Sequence, residues 1–356
     1  MRISIIATAG KKVSGQTRVL LEYAYSLVTR GHQVAVVKPF LRHFGEDGRL
    51  TRRLNLSFRK GFYFITGPKI RNYSVAWFEG NFPFSTIPYV SDFYLSDADF
   101  LIFSSPGFIG PISGLSEKKG KPVFLVQSSQ YVRNPVPDPP EAFLLAAISS
   151  SNERILKTKL PHREIALLVN GVNLNKFSNP AKVFRHAVTV GMIFYQKRPV
   201  HKGIEDGIRA FDLVHRKFPY LKLRMAGERR EKWLPSYIEF WDGINQENLV
   251  RFYRSLDIFL YPSRLDACPL TPMEALACKC GLVTTDVAGI SDFTIPGKTA
   301  LSSPVGDVAA LARNLASLVE NSEKLKELSI AGYEKIKGFS YENQTKKLEE
   351  ILKNSF

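Results

Sequence analysis

The chain has 356 residues, 44% of them hydrophobic, and a formal net charge of +16. That length accommodates two ordinary cores, and that hydrophobic content is too high for a disordered chain. The charge implies an anionic partner (nucleic acid, an acidic membrane surface or a phosphorylated substrate) without choosing among them.

No run of about 18 apolar residues is present to span a bilayer. The opening Ile3 to Ala7 reads as a first strand rather than a secretory leader, so a cytoplasmic chain is expected. A polar loop, Gly10 to Thr17, leads into a helix from about Thr17 to Arg30, with Val19, Leu20, Tyr23, Ala24, Leu27 and Val28 at helical spacing. Gly31 stops that helix and Gln33 to Val37 forms the next strand. The result is a βαβ unit whose first loop sits where open α/β sheets bind ligands.

From Lys38 to Arg71, basic residues alternate with Phe40, Leu50, Leu54, Leu56, Phe58, Phe62 and Phe64. This stretch reads as an anionic membrane surface site, with Phe and Leu inserting shallowly, or as an ordinary basic face over a core. RNA-binding signatures are absent, so no nucleic acid partner is expected. Further strands are expected at Phe100 to Ser104, Val123 to Gln127 and Ala146 to Ser149, and a rigid Pro-rich loop spans Asn134 to Pro140.

A linker around Pro161 to Arg185 contains the turn signals Asn170-Gly171 and Asn179-Pro180. A second α/β series follows. Strands are expected at Val188 to Phe194, Leu221 to Ala226, Ile258 to Tyr261 and Leu282 to Asp286, with Ile238 to Trp241 strand-like. Helices are expected from the His201-Lys202-Gly203 loop to about Phe218, and at Asn248 to Ser255 and Pro272 to Cys280. Three more close the chain, near Val308 to Glu320, Glu323 to Ile336 and after Ser340.

Cys268, Cys278 and Cys280 are clustered, but Cys278-Lys279-Cys280 lacks the usual metal-ligand spacer. They read as reduced, buried small residues, and no metal site is expected. The six histidines read as helix-end, surface or linker groups, with His201 beside the expected ligand loop by position only.

Tyr261-Pro-Ser-Arg-Leu-Asp-Ala-Cys-Pro-Leu-Thr-Pro-Met-Glu274 is the most informative stretch. Thr271-Pro272-Met273-Glu274 reads as a helix start, with Thr as N-cap, Pro in the first turn and Glu closing a capping box. Capping by itself accounts for Glu274. The same terminus offers free backbone N–H groups to phosphate oxygens.

Pro262-Ser263, then Asp266, then Glu274 with seven residues between the two acids, resembles the retaining glycosyltransferase family 4. Glu274 to Gly281, Thr285 to Ile290, Gly31-His32, Val169 to Asn173, Phe177 and His201-Lys202-Gly203 extend the resemblance over most of the chain. It implies a GT-B fold: two Rossmann-like parallel-sheet domains facing a central cleft, with the C-terminal helix crossing back to the N-domain. The domains expected are 1–165 with 340–356 for the acceptor, and 166–339 for the nucleotide-sugar donor.

The implied reaction moves a hexose-type sugar from a nucleotide diphosphate sugar to a saccharide or lipid-linked acceptor, in surface polysaccharide or glycolipid synthesis. The enzyme would retain anomeric configuration, need no metal or other cofactor, and work in the cytoplasm, peripherally on a membrane. In the implied site Glu274 binds the donor ribose, Asp266 lies beside the transferred sugar and Lys202 neutralises the diphosphate. Leu270 and Thr271 offer amides, Ile244 meets the base and Gly15 lets the first loop approach the diphosphate. Gln127 and Tyr131 are candidates on the acceptor side.

The sequence departs from the family in three places. Asp266 replaces the usual Glu, Met192 follows Gly191 where an Arg is common, and Ser14-Gly15-Gln16 lacks a Gly pair. Lys197 and Arg198 are candidates to replace the missing Arg. Two rival classes stay open: a nucleotide-sugar epimerase of the same fold, and a basic non-catalytic lipid- or nucleic-acid-binding protein. A dinucleotide oxidoreductase is excluded, because Thr8 to Gly15 does not supply the Gly-x-Gly-x-x-Gly loop.

Overall fold

The computed structural model describes residues 1–7, 14–39, 83–127, 138–184, 186–197, 199–243 and 245–354. It divides into two compact units. The first comprises Met1–Ile148, Asn152–Leu168 and Thr345–Phe356, and the second Ser149–Ser151 and Val169–Gln344.

In the first unit, strands β1 (Arg2–Ile6), β2 (Gln33–Pro39), β3 (Phe84–Ile87), β4 (Phe100–Phe103), β5 (Lys121–Val126), β6 (Leu144–Ala147) and β7 (Ile165–Leu167) form one sheet. Their order is β3-β2-β1-β4-β5-β6-β7, with every pairing parallel. Ile3, Ile5, Phe100, Leu101, Ile102 and Phe103 are all buried, as expected for central parallel strands covered on both faces.

Helix α1 covers Gly15–Thr29, starting two residues earlier than the apolar periodicity suggests. The Ser14 hydroxyl accepts from the Thr17 N–H at 3.2 Å and caps the first turn, so Gly15 is helical rather than part of the loop. Gly31, at φ +85°, ends the helix where an L side chain is rarely tolerated. Two further helices, α2 (Ile109–Ser113) and α3 (Ser150–Lys159), follow.

The second unit holds β8 (Thr189–Ile193), α4 (Ile204–His215), β9 (Lys222–Ala226), β10 (Glu239–Trp241), α5 (Gln246–Arg254), β11 (Ile258–Tyr261) and α6 (Leu270–Ala277). It continues with β12 (Gly281–Thr285), α7 (Ile290–Phe293), β13 (Leu301–Ser303), α8 (Val308–Glu320) and α9 (Ser322–Lys337). Its sheet is also parallel, in the order β10-β9-β8-β11-β12-β13. Ile258 and Leu260 enter one core cluster, Phe259 and Tyr261 the other. The period-two alternation of a strand thus fills both faces of the sheet, which is why β11 reads as an unbroken apolar run.

The chain runs outward from β8 through β9 to β10, then returns to place β11 on the other side of β8. The topological switch point of this sheet lies between β8 and β11, and loops leaving their carboxyl ends converge there.

The last helix, α10 (Tyr341–Lys353), begins in the second unit and from Thr345 onward belongs to the first. Within the first unit, Glu349 receives both Arg30 Nε (2.6 Å) and Arg30 Nη2 (2.7 Å), and lies 2.8 Å from His32 Nε2. The crossing helix expected from the resemblance is therefore present. His32, read as a helix-end group, does follow α1, where its N–H donates to the Leu27 carbonyl, and it is also part of the α10 anchor.

Candidate active site

The site is built on the loops after β8 and β11. Gly203, at φ +60°, precedes α4, and a Cβ there would stand 1.9 Å from the Pro262 carbonyl oxygen. Only glycine permits both the left-handed turn and this approach. The His201 carbonyl accepts from Arg264 N (2.8 Å), Leu265 N (3.1 Å) and Ser263 Oγ (3.2 Å), which fastens the two loops together. Arg264 also grips Asp206 of α4 through two bonds, at 2.6 and 2.8 Å.

This framework carries Lys202 to Asp266. The ammonium pairs with Asp266 Oδ2 and donates to the Tyr261 hydroxyl at 3.3 Å. Its Nζ lies 4.7 Å from the Tyr195 ring centroid and 5.7 Å from that of Tyr261. Tyr261 Oη donates to Asp266 Oδ2, while Ala267 N donates to Oδ1 at 2.8 Å. The Lys202 and Asp266 side chains are 15% and 17% exposed, sheltered enough to strengthen the pair yet still open to a ligand.

After Asp266 the chain turns into α6. Asn170 Nδ2 donates to the Cys268 carbonyl at 3.1 Å, and Gly289 packs where a Cβ would meet the Ala267 carbonyl at 2.1 Å. The helix then begins at Leu270, with Pro269 in the cap position and no side-chain cap.

This overturns the capping-box reading. Thr271 and Pro272 are the second and third helical residues, and Glu274 sits too far into the helix to reach back to a cap. Thr271 Oγ1 instead accepts from the Tyr195 hydroxyl at 3.4 Å. Glu274 is 1% exposed, and its Oε2 accepts from Tyr253 Oη of α5 at 2.9 Å. Burying a carboxylate costs free energy that its hydrogen bonds must offset, and the Tyr253 hydroxyl supplies one of them. Leu270 and Thr271 supply the first N–H groups of α6, which have no intrahelical acceptor.

Lys202, Asp266 and Glu274 all act electrostatically on the Tyr195 hydroxyl, whose pKa burial pushes upward. Burial, followed by the Asp266 charge, likewise holds the Tyr261 hydroxyl well above its usual value, so it remains a donor. The sequence-predicted residues Lys202, Asp266, Leu270, Thr271 and Glu274 thus lie on two joined loops and one helix of the second unit. Gly15 belongs to the first unit, at the start of α1. Ile244, Arg198 and Tyr131 lie outside the described residues, as does the 38–71 stretch beyond Pro39. Gln127 is buried just after β5.

Met192 is 1% exposed and packs in the core against Gly207, so its side chain is structural. The residues that sequence reasoning passed over are Tyr195, Tyr253 and Tyr261. Tyr261 immediately precedes Pro262-Ser263 and was visible by position, whereas Tyr195 and Tyr253 reach the site only through folding. All three cysteines are free and buried, and burial raises the Cys280 thiol to about 12. Among the described residues no group of three His, Cys, Asp or Glu is placed to hold a metal ion. None of the described helices is long and apolar enough to cross a membrane.

Solved structures with the same architecture cover almost the whole chain. TarM from S. aureus, solved with fondaparinux, α-GlcNAc-glycerol and UDP, superposes with a TM-score of 0.70 at 12% identity, covering 99% of each chain. Sucrose-phosphate synthase from Thermosynechococcus elongatus gives 0.70 at 13% identity, covering 99% of this chain and 98% of that one. The chain has the GT-B fold. HepE of Anabaena, solved with UDP and glucose, shares this GT-B architecture with a TM-score of 0.68 at 12% identity, covering 99% of each chain.

Residues 182–335 match the family model for Glycosyl transferases group 1, so the matching stretch lies within the second unit and carries Lys202, Asp266, Leu270, Thr271 and Glu274. Glycogen synthase of Mycobacterium tuberculosis is 25% identical over 189 residues, which are 50% of this chain and 45% of that protein. The capsular polysaccharide biosynthesis glycosyltransferase CapM of Staphylococcus aureus is 25% identical over 35% of each chain. The chain therefore spans less than half the length of these curated relatives.

Proposed function

We propose that this GT-B protein is a retaining glycosyltransferase that uses a nucleotide diphosphate sugar. The observation that carries the reading is the Lys202–Asp266–Tyr261 cluster at the switch point of the second sheet, beside the uncapped start of α6. An ammonium and free helix N–H groups suit the two phosphates of a donor, and they stabilise negative charge as the diphosphate departs. Glu274 takes the ribose hydroxyls, and Asp266 lies beside the sugar.

In the proposed reaction the bond from the anomeric carbon to the diphosphate oxygen breaks. The acceptor hydroxyl attacks on the same face and passes its proton to the leaving diphosphate. This chemistry needs no metal. The acceptor is a saccharide or lipid-linked saccharide recognised by the N-terminal unit, in keeping with relatives named for glycogen synthesis and capsular polysaccharide biosynthesis. The basic 38–71 stretch is proposed to meet anionic headgroups of a membrane.

Calorimetric titration with UDP, GDP, ADP, dTDP and their sugars tests the reading. One diphosphate binds, and binding drops at least about tenfold in Lys202→Ala and in Glu274→Ala, the range for loss of a charge-assisted contact. Folded protein that binds none of the panel would return the basic surface to the centre of the question.

A further inference from the structure

Lysine carries a compact charge on a flexible four-carbon stem, so a lysine serving a diphosphate must be held in place before the ligand arrives. Lys202 has more than an ion pair to hold it. Its Nζ stands 4.7 Å from the Tyr195 ring centroid and 5.7 Å from that of Tyr261, and the Tyr261 hydroxyl accepts from it at 3.3 Å. The same hydroxyl donates to Asp266 Oδ2, the oxygen that pairs with Lys202. Tyr195 is fixed in turn, its hydroxyl donating to Thr271 Oγ1 at 3.4 Å on the first turn of α6.

An aromatic face attracts a cation without accepting a strong hydrogen bond, so the Tyr195 ring orients the ammonium without taking up an N–H group, while Tyr261 acts through its hydroxyl. The hydroxyl solves a second problem. When Lys202 turns toward phosphate, Asp266 loses its cation inside a sheltered site, and a carboxylate left without donors there is costly. Tyr261 Oη and the Ala267 N–H still serve that carboxylate.

We propose that Tyr261, with the Tyr195 ring as the other wall, is the positioning residue of the diphosphate site. It fixes Lys202 before the ligand binds and holds Asp266 when the lysine is given up. This inference rests on the nucleotide-sugar reading of the same site.

A calorimetric double-mutant cycle tests it with UDP, GDP, ADP and dTDP as probes, on wild type, Tyr261→Phe, Lys202→Met and the double variant. Tyr261→Phe should weaken the diphosphate that binds by about three- to tenfold, and the double variant should bind within about twofold of Lys202→Met, because both changes remove one coupled unit. Losses that simply multiply, or an unchanged affinity in Tyr261→Phe, overturn the positioning role and leave the site reading standing. A folded wild type that binds none of the four overturns the site reading and the inference with it. If circular dichroism shows Tyr261→Phe to be unfolded, the same cycle built on Tyr195→Leu is read by the same criteria.

Discussion

At the residue scale, the site depends on backbone geometry as much as on charge. Gly203 has the left-handed conformation and lies against Pro262, so Lys202 is carried by a turn that no other residue fits. Gly203→Ala should cost more than about 2 kcal/mol, the usual cost of combining strain with a backbone clash, and should abolish diphosphate binding. Urea denaturation and calorimetry together check this; a stable variant with full affinity would show that the two loops are not coupled through this contact. The spacing of Asp266 and Glu274 was legible along the chain, but the burial of Glu274 was not. A Thr-Pro-Met-Glu start satisfies capping rules on paper. Pro269 in the cap position advances the helix and turns Glu274 toward Tyr253 instead.

At the element scale, the long periodic segments were readable. β11 and α8 fall where their patterns put them, because an apolar run or an amphipathic stripe is set by the chain's own spacing. The short elements β3, β7, α7 and β13 escaped detection: three or four residues carry too little periodicity, and sheet pairing decides them. Helix α10 is anchored by an ion cluster that sequence reading divided among distant positions. Arg30, first in effect, and then His32 bind Glu349 and hold its carboxyl down at about 2.

A depressed folded pKa means that the stabilisation is fully present above the unfolded value of about 4.3. It is lost as pH falls toward 2. Glu349→Gln should lower stability at neutral pH by roughly 1–3 kcal/mol, the range for hydrogen bonds to charged groups. It should also flatten the acid limb of the stability curve between those two values. Denaturation midpoints across that pH range decide the matter, and an unchanged slope would remove Glu349 from the acid response.

At the scale of the whole molecule, the charge of +16 is a property of the composition and needs no fold to be read. Its use is a matter for experiment. If the basic 38–71 stretch meets anionic headgroups, the protein should sediment with vesicles containing about a third anionic lipid at low salt and release near ~0.5 M salt, where screening is short-ranged. Equal binding to neutral vesicles, or none to either, would defeat the membrane proposal.

The sequence by itself determined the alternation of strands and helices and, with it, the two parallel sheets, which follow from local periodicity and from turn chemistry carried within a few residues. Lys202 and Asp266 were named through the family resemblance alone. Only the tertiary structure decided that Tyr195 and Tyr261 close around Lys202 and Asp266, and that Tyr253 meets Glu274. Contacts between elements far apart in the chain arise from sheet order, and sheet order brings the β8 and β11 loops together without leaving a mark in either loop's spacing.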